Sequence, residues 1–179
     1  MHPLLGSDAE AAAPLPYDRL VIDEKSEFGA RVAQHLREEK VVWLTTVTPS
    51  GRPLPRPVGF LWDGEYTVSV YSQPGARIRN IAINPNVTLN FGGDGRGGDI
   101  VVLSGTAEIV EPALSAAQNP AWVAKYAAEW ERGRMTAESF AQRFSIPVRI
   151  HIEGVHGRLT SAVAMKWTAH RRFDPGWLH

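Results

Sequence analysis

The chain has 179 residues, 44% hydrophobic and 21% charged, which suits one globular domain with a real core and leaves little room for two. Lys plus Arg and Asp plus Glu both number 19, so the net charge is zero, and a nucleic-acid binder driven by bulk charge is not expected because counterion release needs a basic face. Having no cysteine, the chain can form no disulfide, thiolate metal site or thiol nucleophile, and it lacks the run of about 18 apolar residues that marks a membrane-spanning helix.

Residues 1–18 are small, Ala/Pro-rich and weakly acidic, and read as a poorly ordered arm. No basic region followed by an apolar stretch occurs there, so a secretory signal is not expected and the cytoplasm is the default location. From Ser26 to Lys40, Phe28, Val32 and Leu36 recur every four positions among polar residues, the pattern of an amphipathic helix. The period then changes to two. Val41–Val47 reads as a strand, Thr48-Pro49-Ser50-Gly51 as a turn, and Arg52–Trp62 as a second strand. Asp63-Gly64 is a strong hairpin signal, followed by a strand over Glu65–Tyr71 with Tyr66, Val68 and Val70 alternating inward.

A short helix over Ala76–Ile83 is stopped by Asn84-Pro85. A strand begins at Val87, a glycine-rich loop covers Gly92–Asp99, and a long strand covers Ile100–Val110. Asn119-Pro120 starts a helix that carries Trp122, Tyr126 and Trp130 on one stripe and stops at Gly133. That stripe reads as core packing rather than a substrate cage. Thr136–Phe144 forms another short helix, with Phe140 and Phe144, and Val148–Ile152 is the last clear strand. The boundaries are an arm at 1–18, a domain over 19–160 with a helical insert near 112–145, and a tail at 161–179.

Two segments carry chemistry. In the second strand, Pro53, Pro55 and Pro57 alternate, so one strand edge lacks three consecutive N–H donors. Such an edge is either protected against aggregation or turned towards a ligand or a second subunit. Arg52 and Arg56 share the other face with Val58, Phe60 and Trp62, an expensive position for a cation unless an anion meets it. The second segment, Tyr71–Asn80, ends a strand, turns at Gly75 and opens a helix with Arg77 and Arg79 in its first turn. A cation there opposes the helix dipole. An anion over the free N–H groups, with Arg77 closing on it and Ser72 donating, would explain the placement. The alternative is a pair of solvated arginines on a surface helix.

The histidines offer no metal motif. His151 and His156 straddle Gly154, while His2, His35, His170 and His179 are scattered, so a zinc site is not expected. His151 alternates with core-facing Ile150 and Ile152 and reads as a surface or interface residue.

The ordered series T-T-V-x-P-S-G-R-P-x-x-R-P-V-G-F-x-W-D-G, Y-S-x-P-G-A-R-x-R-N-I-x-x-N-P-x-V-x-L-N-F and L-S-G-T-A-E-I-V resembles the pyridoxamine-phosphate oxidase-related superfamily. It is most similar to that superfamily's flavin/deazaflavin oxidoreductase branch, over residues 26–111 and more loosely 145–160. The resemblance implies a mainly antiparallel α+β fold, an FMN-binding split β-barrel with a few packed helices. It implies a homodimer with FMN or the deazaflavin coenzyme F420 at the subunit interface. Arg77 takes the phosphate-holding position, replacing the usual lysine. Arg56, Pro57, Val58 and Gly59 would lie along the cofactor ring, and Ser72 and Asn80 also fall on contact positions.

The substrate contacts of true pyridoxamine-phosphate oxidases are not recognisable here, so vitamin B6 oxidation is not expected. The implied function is hydride transfer between the bound cofactor and a small conjugated substrate, with no dedicated catalytic acid, base or nucleophile. A second reading is a non-catalytic binder or carrier of flavin, F420 or, less favoured for want of an axial histidine, heme.

Overall fold

The computed structural model describes residues 22–159 and a short strand at 168–170. The arm at 1–18 and most of the 161–179 tail lie outside the described residues. The first helix, α1 (Glu27–Glu38), is capped by Ser26, whose hydroxyl accepts from the Gly29 N–H at 3.0 Å. Phe28, Val32 and Leu36 are buried, as their four-residue spacing requires. The strands are β1 (Val42–Val47), β2 (Pro53–Val58), β3 (Leu61–Trp62), β4 (Thr67–Ser72), β5 (Asn86–Asn90), β6 (Ile100–Ile109), β7 (Ile146–Arg158) and β8 (Thr168–His170). The other helices are α2 (Ala76–Ile83), α3 (Pro120–Arg132) and α4 (Ala137–Arg143), with a short 3-10 turn at Ala116–Gln118 before α3.

All the pairings are antiparallel, in the order β2-β1-β5-β6-β7-β4-β3, with β8 added against the far half of β7. The stretch expected as one strand over Arg52–Trp62 is therefore two. β2 and β3 are separated only by Gly59 and Phe60, yet they sit at opposite ends of the sheet. Three residues of chain span at most about 10 Å, so the two ends of the sheet must approach each other. The sheet is curled into a split β-barrel. Inside it lie the alternating residues Leu44, Phe60, Val68, Val70, Leu89, Leu103 and Ile150, each nearly or fully buried.

A hydroxyl 66 residues away holds the corner where β2 becomes β3. The Phe60 N–H donates to the Tyr126 oxygen at 2.6 Å, and the Tyr126 proton faces the carbonyls of Lys40 at 2.8 Å and Phe60 at 2.9 Å. Burial pushes the Tyr126 hydroxyl well above the ordinary phenol range. Gly59 packs closely here, since a Cβ would stand 3.1 Å from that hydroxyl oxygen and crowd it by a few tenths of an ångström. Lys40 ties the same corner to α3 by donating to the Lys125 carbonyl at 2.6 Å. The Lys125 ammonium rests 3.8 Å from the centre of the Phe60 ring. Burial, with Lys40 nearby, lowers its pKa to about 8.

The aromatic stripe of α3 forms a second core. Trp122, Tyr126 and Trp130 are buried with Tyr71, and Phe140 and Phe144 of the α4 segment pack beside them. Ring centres step from Tyr71 to Trp122 at 4.7 Å, from Trp122 to Tyr126 at 4.8 Å and from Phe140 to Phe144 at 4.5 Å. The helical insert is thus bolted to the barrel through β4.

Candidate functional site

β4 ends at Ser72, and the chain turns through Gln73, Pro74 and Gly75 into α2. Gly75 has φ 155° and ψ −156°, backbone that only glycine adopts readily. As the N-cap residue it offers no side chain to the helix, so no side-chain oxygen covers the first-turn N–H groups. They open on a cleft of about 330 Å³ lined by segments far apart in sequence: Thr46 of β1, Leu54 and Arg56 of β2, Ser72, Gln73 and Pro74, Arg77 and Asn80 of α2, and Phe144.

The polar groups of the cleft are pre-arranged. Arg77 Nη1 donates to Ser72 Oγ at 3.0 Å, and that hydroxyl faces the Gln73 carbonyl at 3.2 Å. Asn80 Nδ2 donates to Thr46 Oγ1 at 3.0 Å, leaving the Thr46 proton available to a ligand. Ser72, Asn80 and Thr46 are buried. Arg77 is only partly exposed, and among the described residues no carboxylate pairs with it. Burial lowers its pKa, and the positive charge of Arg56 lowers it further. Two guanidiniums facing one cleft above an uncapped helix N-terminus form a site electrostatically short of an anion.

Of the residues singled out from sequence, Arg56, Ser72, Arg77 and Asn80 line this cleft together. Pro57, Val58 and Gly59 do not: Pro57 is exposed, Val58 is buried in the core, and Gly59 packs on Tyr126. Arg52 and Arg79 are exposed and also lie outside the lining. Thr46, Leu54, Gln73, Pro74 and Phe144 belong to it without having been singled out. Thr46 carried a weak signal, as the polar member of the buried face of β1. Phe144 carried none, because only the return of α4 towards β4 brings it there.

His35, one of the scattered histidines, is structural. It is buried against Phe91, with one ring nitrogen 2.9 Å from Asp99 and the other hydrogen-bonded to Glu39. Arg31 also binds Asp99, so helix α1 grips the end of the glycine-rich loop. His151 lies on the outer face of the sheet, 3.3 Å from Glu108. Among the described residues no group of three or more His, Cys, Asp or Glu is placed to hold a metal ion, and no helix is long and apolar enough to cross a membrane.

A curled antiparallel sheet whose two end strands, β2 and β3, are joined by one short corner defines the split β-barrel class. The family model described as pyridoxamine 5'-phosphate oxidase matches residues 28–152, well over half of the chain, and the chain belongs to that family. No curated protein matches it in sequence. Solved structures of the same fold include a Clostridium acetobutylicum protein related to general stress protein 26, at 16% identity and TM-score 0.54, covering 83% of this chain and 96% of that one. A FAD-binding protein of Mesorhizobium loti has 22% identity and TM-score 0.50 over 68% of this chain and 87% of its own. HutZ, a heme storage protein of Vibrio cholerae, has 21% identity and TM-score 0.50 over 70% and 91%. At these identities the likeness concerns the fold.

Proposed function

We propose that the protein is an oxidoreductase that binds coenzyme F420 or FMN in the Arg56–Arg77 cleft and moves hydride between it and a small conjugated substrate. The observation that carries this reading is Arg77: a partly buried cation with no carboxylate partner among the described residues, beside a second cation and over free helix N–H groups. A phosphate fits that donor set. Arg77 and Ser72 hold it, Thr46 and Asn80 supply further polar contacts, and Arg56 balances its charge.

When bound, the cofactor ring supplies the hydride chemistry. The chain's part is to orient the ring along the exposed side of β2, at Arg56 and Pro57, and to keep water from it. The outer edge of β2 has no donors at its three prolines, and Trp43 on the neighbouring strand is 43% exposed. A second copy packed there would cover the edge and complete the site as a homodimer. F420 is favoured over FMN because the strand-two and Arg77 segments are more similar to that branch. Among the described residues, none that lines the cleft is a histidine to serve as an axial ligand to heme.

Titration with F420, FMN and heme, read by visible absorbance and fluorescence, tests the reading. The expected result is saturable F420 binding by a protein that light scattering finds dimeric. FMN affinity at least tenfold tighter, a difference of about 1.4 kcal/mol, reverses the order of the cofactors. Faster oxidation of reduced F420 by a conjugated enone with protein than without marks an enzyme. Equal rates mark a carrier.

A further inference from the structure

The geometry points to Phe144 as a specificity-determining residue: an aromatic wall, delivered to the cleft by the helical insert, against which the organic part of a phosphorylated ligand packs. This inference rests on the phosphate-binding reading above. The cleft has two kinds of lining. Arg56, Arg77, Ser72, Asn80 and Thr46 are polar or cationic, whereas Leu54 and Phe144 present hydrocarbon. Inorganic phosphate alone could satisfy the first set. It gains nothing from the second, because apolar surface rewards only apolar contact. The lining therefore fits a ligand whose anion and flat or hydrocarbon part lie within one cleft's length.

Phe144 is held as a wall rather than as a loose side chain. It caps the C-terminus of α4, with its N–H donating to the Phe140 carbonyl at 2.8 Å. Its ring is stacked on Phe140 at 4.5 Å, and Phe140 packs on Trp130 at 5.2 Å and Trp122 at 6.2 Å. The Arg143 guanidinium stands 5.7 Å from the Phe144 ring. Two residues later β7 begins, and Ile146 pairs with Ser72 of the phosphate cradle. The same short segment thus fixes the aromatic wall relative to the anion site. A barrel with a different insert would keep the cradle and lose the wall.

The experiment measures F420, FMN and inorganic phosphate affinities by calorimetry in wild type, Phe144→Ala, Phe144→Leu and Phe140→Ala, with melting of each ligand-free protein. Phe140 does not line the cleft but carries the Phe144 ring on its face, so its variant shows how far the wall depends on that support and should lose no more affinity than Phe144→Ala. In Phe144→Ala the tighter-binding cofactor is expected to lose about tenfold in affinity, while inorganic phosphate changes less than about twofold. Phe144→Leu should recover part of the loss. Unchanged cofactor affinity in Phe144→Ala overturns the role of Phe144 and leaves the phosphate site standing. A wild type that binds phosphate but neither cofactor overturns both.

Discussion

Arg31 and Arg77 are both partly buried arginines near a glycine turn, and they have opposite surroundings. Arg31 meets Asp99, which also binds His35, so its charge is matched within the fold. Asp99 stands at φ 53°, and the grip of α1 holds it there. Arg77 meets a neutral hydroxyl and a second arginine. The contact with Asp99 raises the pKa of Arg31, whereas burial and Arg56 lower that of Arg77. A matched charge is architecture. An unmatched one, held in place by its own hydrogen bond, is a site awaiting a counter-charge.

The largest effect expected from this contrast is on ligand affinity. Arg77→Ala should weaken binding of a phosphate-bearing cofactor by about ten- to a hundredfold, since charge-assisted hydrogen bonds are worth about 1.5–3 kcal/mol. Arg77→Glu should nearly abolish binding. The ligand-free fold should keep its melting temperature or gain slightly, because a cation at a helix N-terminus opposes the dipole. Unchanged affinity in Arg77→Glu, measured by calorimetry, would remove the contrast altogether.

Tyr126 belongs with the satisfied groups. Tyr126→Phe leaves the Phe60 N–H and a carbonyl without their partner, at a cost of about 2–4 kcal/mol in chemical denaturation. Phosphate affinity of the folded variant should change less than about twofold. A loss of affinity larger than the loss of stability would mean that the corner, and not only the cradle, sets the site.

This corner also marks where the sequence stopped being legible. Local signals placed α1, β1, the Asp63-Gly64 turn, α2 and the capped start of α3 within a residue or two, because each is written in neighbouring side chains. The division at Gly59-Phe60 is imposed by a tyrosine 66 residues later, and no local pattern carries it. β7 runs on to Arg158, past the expected end at Ile152, because Gly154 and Gly157 lie inside it as close-packed strand residues. In the cleft, the segment Ser72–Asn80 was readable since its members are near in sequence. Thr46 and Phe144 were not, since long-range pairing brings them there.

The acid limb of stability sharpens the other half of the comparison. The Arg31 guanidinium, with help from His35, holds Asp99 down at about 2 against the ordinary 3.8. A depressed carboxyl contributes stability that is present above its unfolded value, near pH 4, and is lost as pH falls through about 2. With Arg31 38% exposed, solvent reduces the contribution to about 1–2 kcal/mol. Asp99→Asn preserves a residue that tolerates positive φ and removes the charge. Melting of this variant between pH 2 and 5 should show a shallower acid limb than wild type. Equal slopes would mean that another carboxylate sets it.

The smallest effect expected is at Arg79, and it separates arginines by position rather than by number. Arg77 and Arg79 share one helix turn, but residues two apart point to different sides of a helix. Arg77 lines the cleft, and Arg79 is exposed outside it. For FMN, whose only phosphate lies in the cradle, Arg79→Ala should change affinity less than about twofold, with stability within about 0.5 kcal/mol of wild type. F420 carries an acidic tail beyond its phosphate that an exposed arginine can meet through solvent. Its affinity should therefore fall slightly at low salt, and the difference from wild type should vanish at high salt, where surface charges are screened over about 3 Å at 1 M. Arg52→Ala gives the matching test on β2, since Arg52 is also exposed and outside the lining. A large FMN loss in Arg79→Ala would place the phosphate on the wrong side of α2, and the division between a matched and an unmatched arginine would no longer locate the site.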